Sequence, residues 1–234
     1  MQHNLDKSPE KISGMFDSIA RHYDSLNHIL SFGADILWRK KMVRKISGDG
    51  IHKVIDIACG TGDLTVELAR RGYNVTGLDI TRGMLEIARN KYLRKTGREP
   101  RLVLASACET PFENGSFDAA TISFGIRNFD RRDKCLEEIS RILRPEGKLA
   151  ILEFAEPRNK AWNSIYSFYF KNILPRVGKL LSHNSEAYSY LHDSVVDFPK
   201  YEEFCNELQN SGFKDTICLP LMGGIAALYI CRKA

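Results

Sequence analysis

The apolar positions of this chain change period again and again, and each change marks an element. Val54-Ile55-Asp56-Ile57-Ala58 is an almost wholly apolar run and reads as a strand buried on both faces, as parallel strands are. Gly60 and Gly62 then allow a tight turn that brings backbone N–H groups against a ligand. From Asp63 the period becomes helical, with Leu64, Glu67, Leu68 and Arg71 recurring at three and four and Gly72 as the stop. The alternation continues. Asn74–Asp79 is a second strand, and Thr81–Lys95 a helix with Thr81 as N-cap and Met84, Leu85, Ile87 and Ala88 inward. Leu102–Ala105 and Phe117–Phe124 are the third and fourth strands. Asp133–Leu143 is a helix closed by Arg144-Pro145-Glu146-Gly147, and Lys148–Phe154 is the fifth strand. Strand, glycine turn and helix in this order make an α/β nucleotide-binding fold with a parallel sheet.

Both flanks break that rhythm. Residues 1–50 form a helical extension: Ser8-Pro9 starts a helix striped by Ile12, Met15, Phe16 and Ile19, and another runs through Trp38, Met42, Val43 and Ile46. Between them Tyr23, Asp24 and Asn27 fit a mere cap of the sheet poorly, so the extension is expected to act as a substrate lid. The main domain, 51–234, carries a helical insertion at 156–198. Its stripe of Trp162, Ile165, Tyr166, Tyr169, Phe170, Ile173 and Leu174 is helical, with Lys160, Lys171, Arg176 and Lys179 off it or just beyond. About half of those side chains should pack on the core, and the remainder line a greasy substrate site or touch a membrane. Pro199–Asn210 is the last helix. Ile217–Leu219 and Ala226–Ile230 end the sheet as a hairpin whose last strand is antiparallel.

Composition changes little: 234 residues suffice for one well-buried α/β domain with an extension, and a charge of +5 is mild and spread out. It shows no clustered Lys/Arg track with interleaved aromatics, which argues against a nucleic-acid partner. The six cysteines (59, 108, 135, 205, 218, 231) have no metal-ligand spacing, so no metal is expected. With neither a signal peptide nor a spanning apolar run, reduced thiols and a cytoplasmic protein are the expectation.

Charge at the glycine turn indicates which nucleotide binds. A dinucleotide fingerprint needs a third glycine where Thr65 stands, and Asp56 and Asp63 would repel a pyrophosphate. The same acids favour the ammonium and sulfonium of S-adenosylmethionine over NAD. Asp79 ends the second strand 19 positions after Gly60, where an acid accepts ribose hydroxyl bonds. Ser106, Ala107 and Cys108, and then Gly125-Ile126-Arg127-Asn128, leave strands at the same carboxyl edge, where open α/β sheets bind ligands.

Four blocks carry a family resemblance over nearly the whole chain. They are Tyr23-Asp24-Ser25-Leu26-Asn27 with Ser31-Phe32-Gly33 and Trp38-Arg39; Asp56-Ile57-Ala58-Cys59-Gly60-Thr61-Gly62-Asp63; Phe124-Gly125-Ile126-Arg127-Asn128; and Arg144-Pro145-Glu146-Gly147 running into Leu152-Glu153-Phe154. In these the chain resembles the UbiE/MenG quinone C-methyltransferases. The resemblance implies a class I, Rossmann-like methyltransferase with a seven-stranded sheet, acting on a prenylated quinol precursor of menaquinone or, alternatively, ubiquinone. It aligns Thr61, Asp79, Ser106, Ala107 and Ser123 with donor contacts. Ser106 stands where relatives usually carry Asp or Asn, Asp35 where they often carry His, and Leu26 where they often carry Met.

A quinone is electrophilic, so the substrate must arrive reduced. Deprotonating its hydroxyl pushes electron density to the ring carbon. Arg127 is the candidate to steady the phenolate and Tyr23 to handle the proton. His22 is a second base candidate, though a lone His at a helix end is more often structural, and Glu153 could orient either. The intact turn and the Arg127-Asn128 pair argue against a non-catalytic binding protein. A nucleic-acid methyltransferase is the competing enzyme class. A bilayer-dwelling substrate implies peripheral membrane contact, and a homodimer is left open.

Overall fold

The computed structural model describes residues 6–20, 23–168 and 185–234. Seven strands form one sheet: β1 (Lys53–Ile57), β2 (Asn74–Asp79), β3 (Arg101–Leu104), β4 (Phe117–Ser123), β5 (Leu143–Phe154), β6 (Phe213–Leu221) and β7 (Ala226–Lys233). Their order is β3-β2-β1-β4-β5-β7-β6. β1 pairs in parallel with β2 and β4, and β4 with β5, whereas β7 runs antiparallel to both β5 and β6. This is the class I methyltransferase sheet with its antiparallel last strand, as expected. The chain reverses order between β1 and β4, the switch point at which such sheets open a crevice.

Alternation along the strands divides the interior in two. Val54 packs with Trp38, Met42, Val43 and Ile46 of one core, and its neighbour Ile55 packs with Leu136, Ile139, Phe204 and Leu208 of the other. The helices run α1 (Pro9–Ile19), α2 (Tyr23–Leu30), α3 (Asp35–Ile46), α4 (Asp63–Arg70), α5 (Arg82–Thr96) and α6 (Arg132–Ile142). Three more follow: α7 (Lys160–Phe168), α8 (Ser185–Asp197) and α9 (Glu202–Asn210). The polar block Tyr23–Leu30, read from sequence only as dense in functional residue types, is itself helical. The last helix begins at Glu202 rather than at Pro199, because Tyr201 takes a left-handed φ of 52° that no helix continues through.

One expectation is corrected. Cys108 and Cys135 are joined in a disulfide, so the thiols are not all free. A separation of 27 residues gave no hint of it, because their meeting depends on the loop after β3 folding onto α6. At Trp162 and Tyr166 the aromatic stripe packs on the first core, Tyr166 buried and Trp162 half-buried, as expected for the half of the stripe assigned to the core. Tyr169, Phe170, Ile173 and Leu174 lie outside the described residues. Among the described residues no helix is long and apolar enough to cross a membrane.

Candidate active site

The carboxyl ends of β1, β2 and β4 converge on the glycine turn. Ala58, Gly60 and Gly62 take φ of 52°, 54° and 83°, a left-handed sequence that glycine tolerates and alanine adopts only under strain. Asp79 fastens the turn: its Oδ2 accepts from Gly60 N at 2.8 Å and its Oδ1 from Thr81 N at 2.9 Å. The same carboxylate also lines the cavity that opens at this edge. Gly125, after β4, lies against this turn so closely that a Cβ would come 2.6 Å from that of Ala58.

A cavity of about 260 Å³ opens here, walled by Gly60, Asp79, Ser106, Ala107, Tyr23 and Asn128. A smaller one adjoins it, sharing Gly60 and Tyr23 and adding Thr61 and Ser123. Gly62 lines neither cavity. It serves the turn, since a Cβ there would sit 3.0 Å from that of Ala88. Apart from Gly62, the predicted donor residues are thus gathered at one place.

The acids that flank the turn are used differently from the sequence reading. Asp56 is buried and accepts from Thr65 Oγ1 at 2.6 Å and Thr121 Oγ1 at 3.0 Å. Burial pushes its carboxyl up to about 6, against the pull of those two hydroxyls. Between about pH 4 and 6 the folded protein therefore holds a proton that the unfolded chain has released, so stability falls as pH rises through that window. A displacement of roughly two pH units is worth about 3 kcal/mol. Asp56→Asn, which cannot titrate, should remove that fall in urea unfolding compared at pH 4.5 and pH 7. A slope in the variant equal to the wild type's would refute the assignment.

Asp63 belongs to a network that ties the N-terminal extension to the turn. Lys91 Nζ donates to Asp63 Oδ1 and to Asp24 Oδ2, both at 2.6 Å, and Thr61 Oγ1 donates to Asp24 Oδ1. Arg39 pairs with Asp63 at 3.2 Å and with the buried Asp35 at 2.8 Å. Ligand atoms of His28, Asp35 and Asp63 lie within 4.8 Å of one another, but Arg39 already bridges the two carboxylates, where a metal ion would sit. Three carboxylates to two cations leave negative charge in excess beside the turn, which preserves the attraction for a cationic donor.

The substrate side is built around a buried ion pair. Arg127 is 2% exposed and Glu153 fully buried, with Arg127 Nη1 donating to Glu153 Oε1 at 2.6 Å and to Phe124 O at 2.7 Å. Burial would depress the Arg127 pKa, but Glu153 and the nearby Tyr23 and Tyr190 outweigh it and hold it up. Arg127 Nε has no hydrogen-bond partner among the described residues. Burial raises the pKa of the Tyr23 hydroxyl despite the proximity of Arg127 and a bond to Asn27, so at neutral pH it is a donor. Tyr190 of α8, which sequence reasoning missed, donates to Asn128 Oδ1 at 3.1 Å and is pushed to about 12 by burial. No pattern in α8 marks it, since its partner is 62 positions away. His22 lies outside the described residues.

These residues fit S-adenosylmethionine. Asp79 lines the cavity at the strand edge, the turn leaves room where side chains would intrude, and Ser123 Oγ is buried with no hydrogen-bond partner among the described residues, beside the second cavity.

Comparison with known proteins agrees. The model of the ubiE/COQ5 methyltransferase family matches residues 4–233. A ubiquinone/menaquinone biosynthesis C-methyltransferase, UbiE, of Citrifermentans bemidjiense is 44% identical over 234 residues, covering 98% of this chain and 99% of that protein. A demethylmenaquinone methyltransferase of Porphyromonas gingivalis is 37% identical, covering 96% and 93%. The crystal structure of a methyltransferase from Thermotoga maritima matches with a TM-score of 0.66 at 17% identity, over 94% of this chain and 99% of that one, a likeness of fold. The chain therefore belongs to the ubiE/COQ5 methyltransferase family and is an S-adenosylmethionine-dependent methyltransferase.

Proposed function

We propose that the protein methylates a ring carbon of a reduced, prenylated quinone, with demethylmenaquinol as its substrate and methylated menaquinol as product. One observation carries this reading. Tyr23 and Asn128 belong to blocks of sequence about a hundred residues apart, yet both wall the cavity that Asp79 and Gly60 enter from the donor side. Relatives named for quinone C-methylation match along the whole chain, and several, such as that of Porphyromonas gingivalis, are named for demethylmenaquinone alone.

Bound S-adenosylmethionine supplies an electrophilic methyl group. Asp79 would hold its ribose hydroxyls, Ser106 and Ala107 its base, and Thr61, Ser123 and the acidic network its amino-acid end. The protein's own task is alignment, which is worth about 7–11 kcal/mol where reacting atoms are held in line. The quinol hydroxyl proton leaves to water in the cavity. Tyr23 donates to the phenolate oxygen so formed, and the Arg127–Glu153 pair behind it holds the field that favours that phenolate. The ring carbon takes the methyl while the donor's sulfur–methyl bond breaks to leave a neutral thioether. Asn128, held by Tyr190, positions the ring. A proton then leaves the methylated carbon to water or to a base at the cavity mouth. Because the prenyl tail resides in a bilayer, the enzyme meets its substrate by peripheral membrane contact.

The test is transfer of labelled methyl to short-chain demethylmenaquinol, to the matching benzoquinol precursor of ubiquinone, and to RNA. Transfer to the naphthoquinol, abolished when the ring is oxidised, is expected. Methylation of RNA alone, or of the oxidised quinone equally well, would overturn the reading.

A further inference from the structure

The helical extension that builds the site also carries an outer surface that the reaction does not use. Seven large apolar side chains are exposed among the described residues, and three fall within six positions: Phe32 at 55%, Ile36 at 46% and Leu37 at 65%. Phe32 lies in the turn between α2 and α3, where it and Gly33 take φ of 52° and 74° and reverse the chain, and Ile36 and Leu37 lie in the first turn of α3. The inner face of α3 is buried through Asp35, Trp38, Arg39, Met42, Val43 and Ile46. Its outer face continues from Ile36 and Leu37 into Lys40, Arg44 and Lys45, all exposed, with Lys41 half-buried. Among the described residues none of these four cations has an ion-pair partner.

We propose that this turn and the outer face of α3 dock the enzyme on an anionic phospholipid bilayer. Apolar side chains at one end of a helix, followed by unpaired Lys and Arg, match the chemistry of the interface, where the first enter the acyl boundary and the second meet phosphate headgroups. A nucleic acid would use the cations but leave Ile36 and Leu37 in water. The position also suits the reaction. The two helices joined by this turn supply Tyr23 and Asn27 from α2 and Arg39 from α3, so a docked turn brings the cavity wall to the membrane. That purpose rests on the prenylated-quinol reading; the lipid affinity does not.

Flotation with phosphatidylcholine vesicles, with and without phosphatidylglycerol, tests the docking. The wild type should bind the anionic vesicles and, more weakly, the neutral ones. Ile36→Ser with Leu37→Ser should weaken both by roughly tenfold, as expected for two fewer inserted side chains. Lys40→Gln with Arg44→Gln should weaken only the anionic binding, by roughly 30-fold. All four positions are surface ones, so unchanged melting temperatures confirm that each variant folds. Both variants should methylate a short-chain soluble quinol at the wild-type rate while losing transfer to a long-chain quinol in vesicles. Wild type that ignores both vesicle types, variants that float like wild type, or cation-dependent binding to an RNA oligonucleotide in place of vesicles would overturn the proposal. Vesicle binding with no transfer to any soluble quinol would uphold the docking and refute the substrate reading instead.

Discussion

Arg127→Met is expected to cost about 3–5 kcal/mol of stability, because it strands the fully buried Glu153 carboxylate without its partner. Against a typical margin of about 5–15 kcal/mol this is a large share, and it would mask any effect on chemistry. A second substitution separates the two. Glu153→Gln added to Arg127→Met removes the stranded charge while keeping an acceptor for Phe154 N–H, now bonded to Glu153 Oε1 at 2.9 Å. Most of the lost stability should return in urea unfolding. Turnover should not return, staying at least about 10²-fold below wild type, the lower range for groups that assist proton transfer. Donor affinity should be near wild type, since Arg127 lines neither cavity. A refolded double variant that regains full turnover would reduce Arg127 to a structural role.

Asp79→Ala should weaken S-adenosylmethionine binding by about 1.5–3 kcal/mol, or roughly 10- to 150-fold, the range for hydrogen bonds to a charged group. The carboxylate also holds Gly60 N and Thr81 N, so part of the loss comes from a slackened turn. Turnover at saturating donor should fall far less than affinity, because the group binds donor and transition state alike. Calorimetry that finds the wild-type affinity would remove Asp79 from the donor site. A comparable drop in saturated turnover would place it nearer the chemistry than the strand edge suggests.

Those parts of the fold that repeat at short range were legible in the order of residues alone. The run Val54–Ala58, the glycines at 60 and 62 and the helical spacing from Asp63 are local signals, and the structure keeps each of them. Asp79 was legible for the same reason, because the strand it ends follows the turn by one short helix. Most of the ion pairing was not. Lys91 reaches Asp24 across 67 positions and Arg127 reaches Glu153 across 26, with no period to announce either. The sheet decides them: β4 lies beside β5 with Ser123 opposite Leu152, so the segments after both strands leave from one edge and a cation meets an acid there. Sequence also counted Asp56 and Asp63 as free negative charge. Only the fold assigned the first to two threonine hydroxyls in the core and the second to Lys91 and Arg39, since burial and neighbours, not residue type, set what a carboxylate can do.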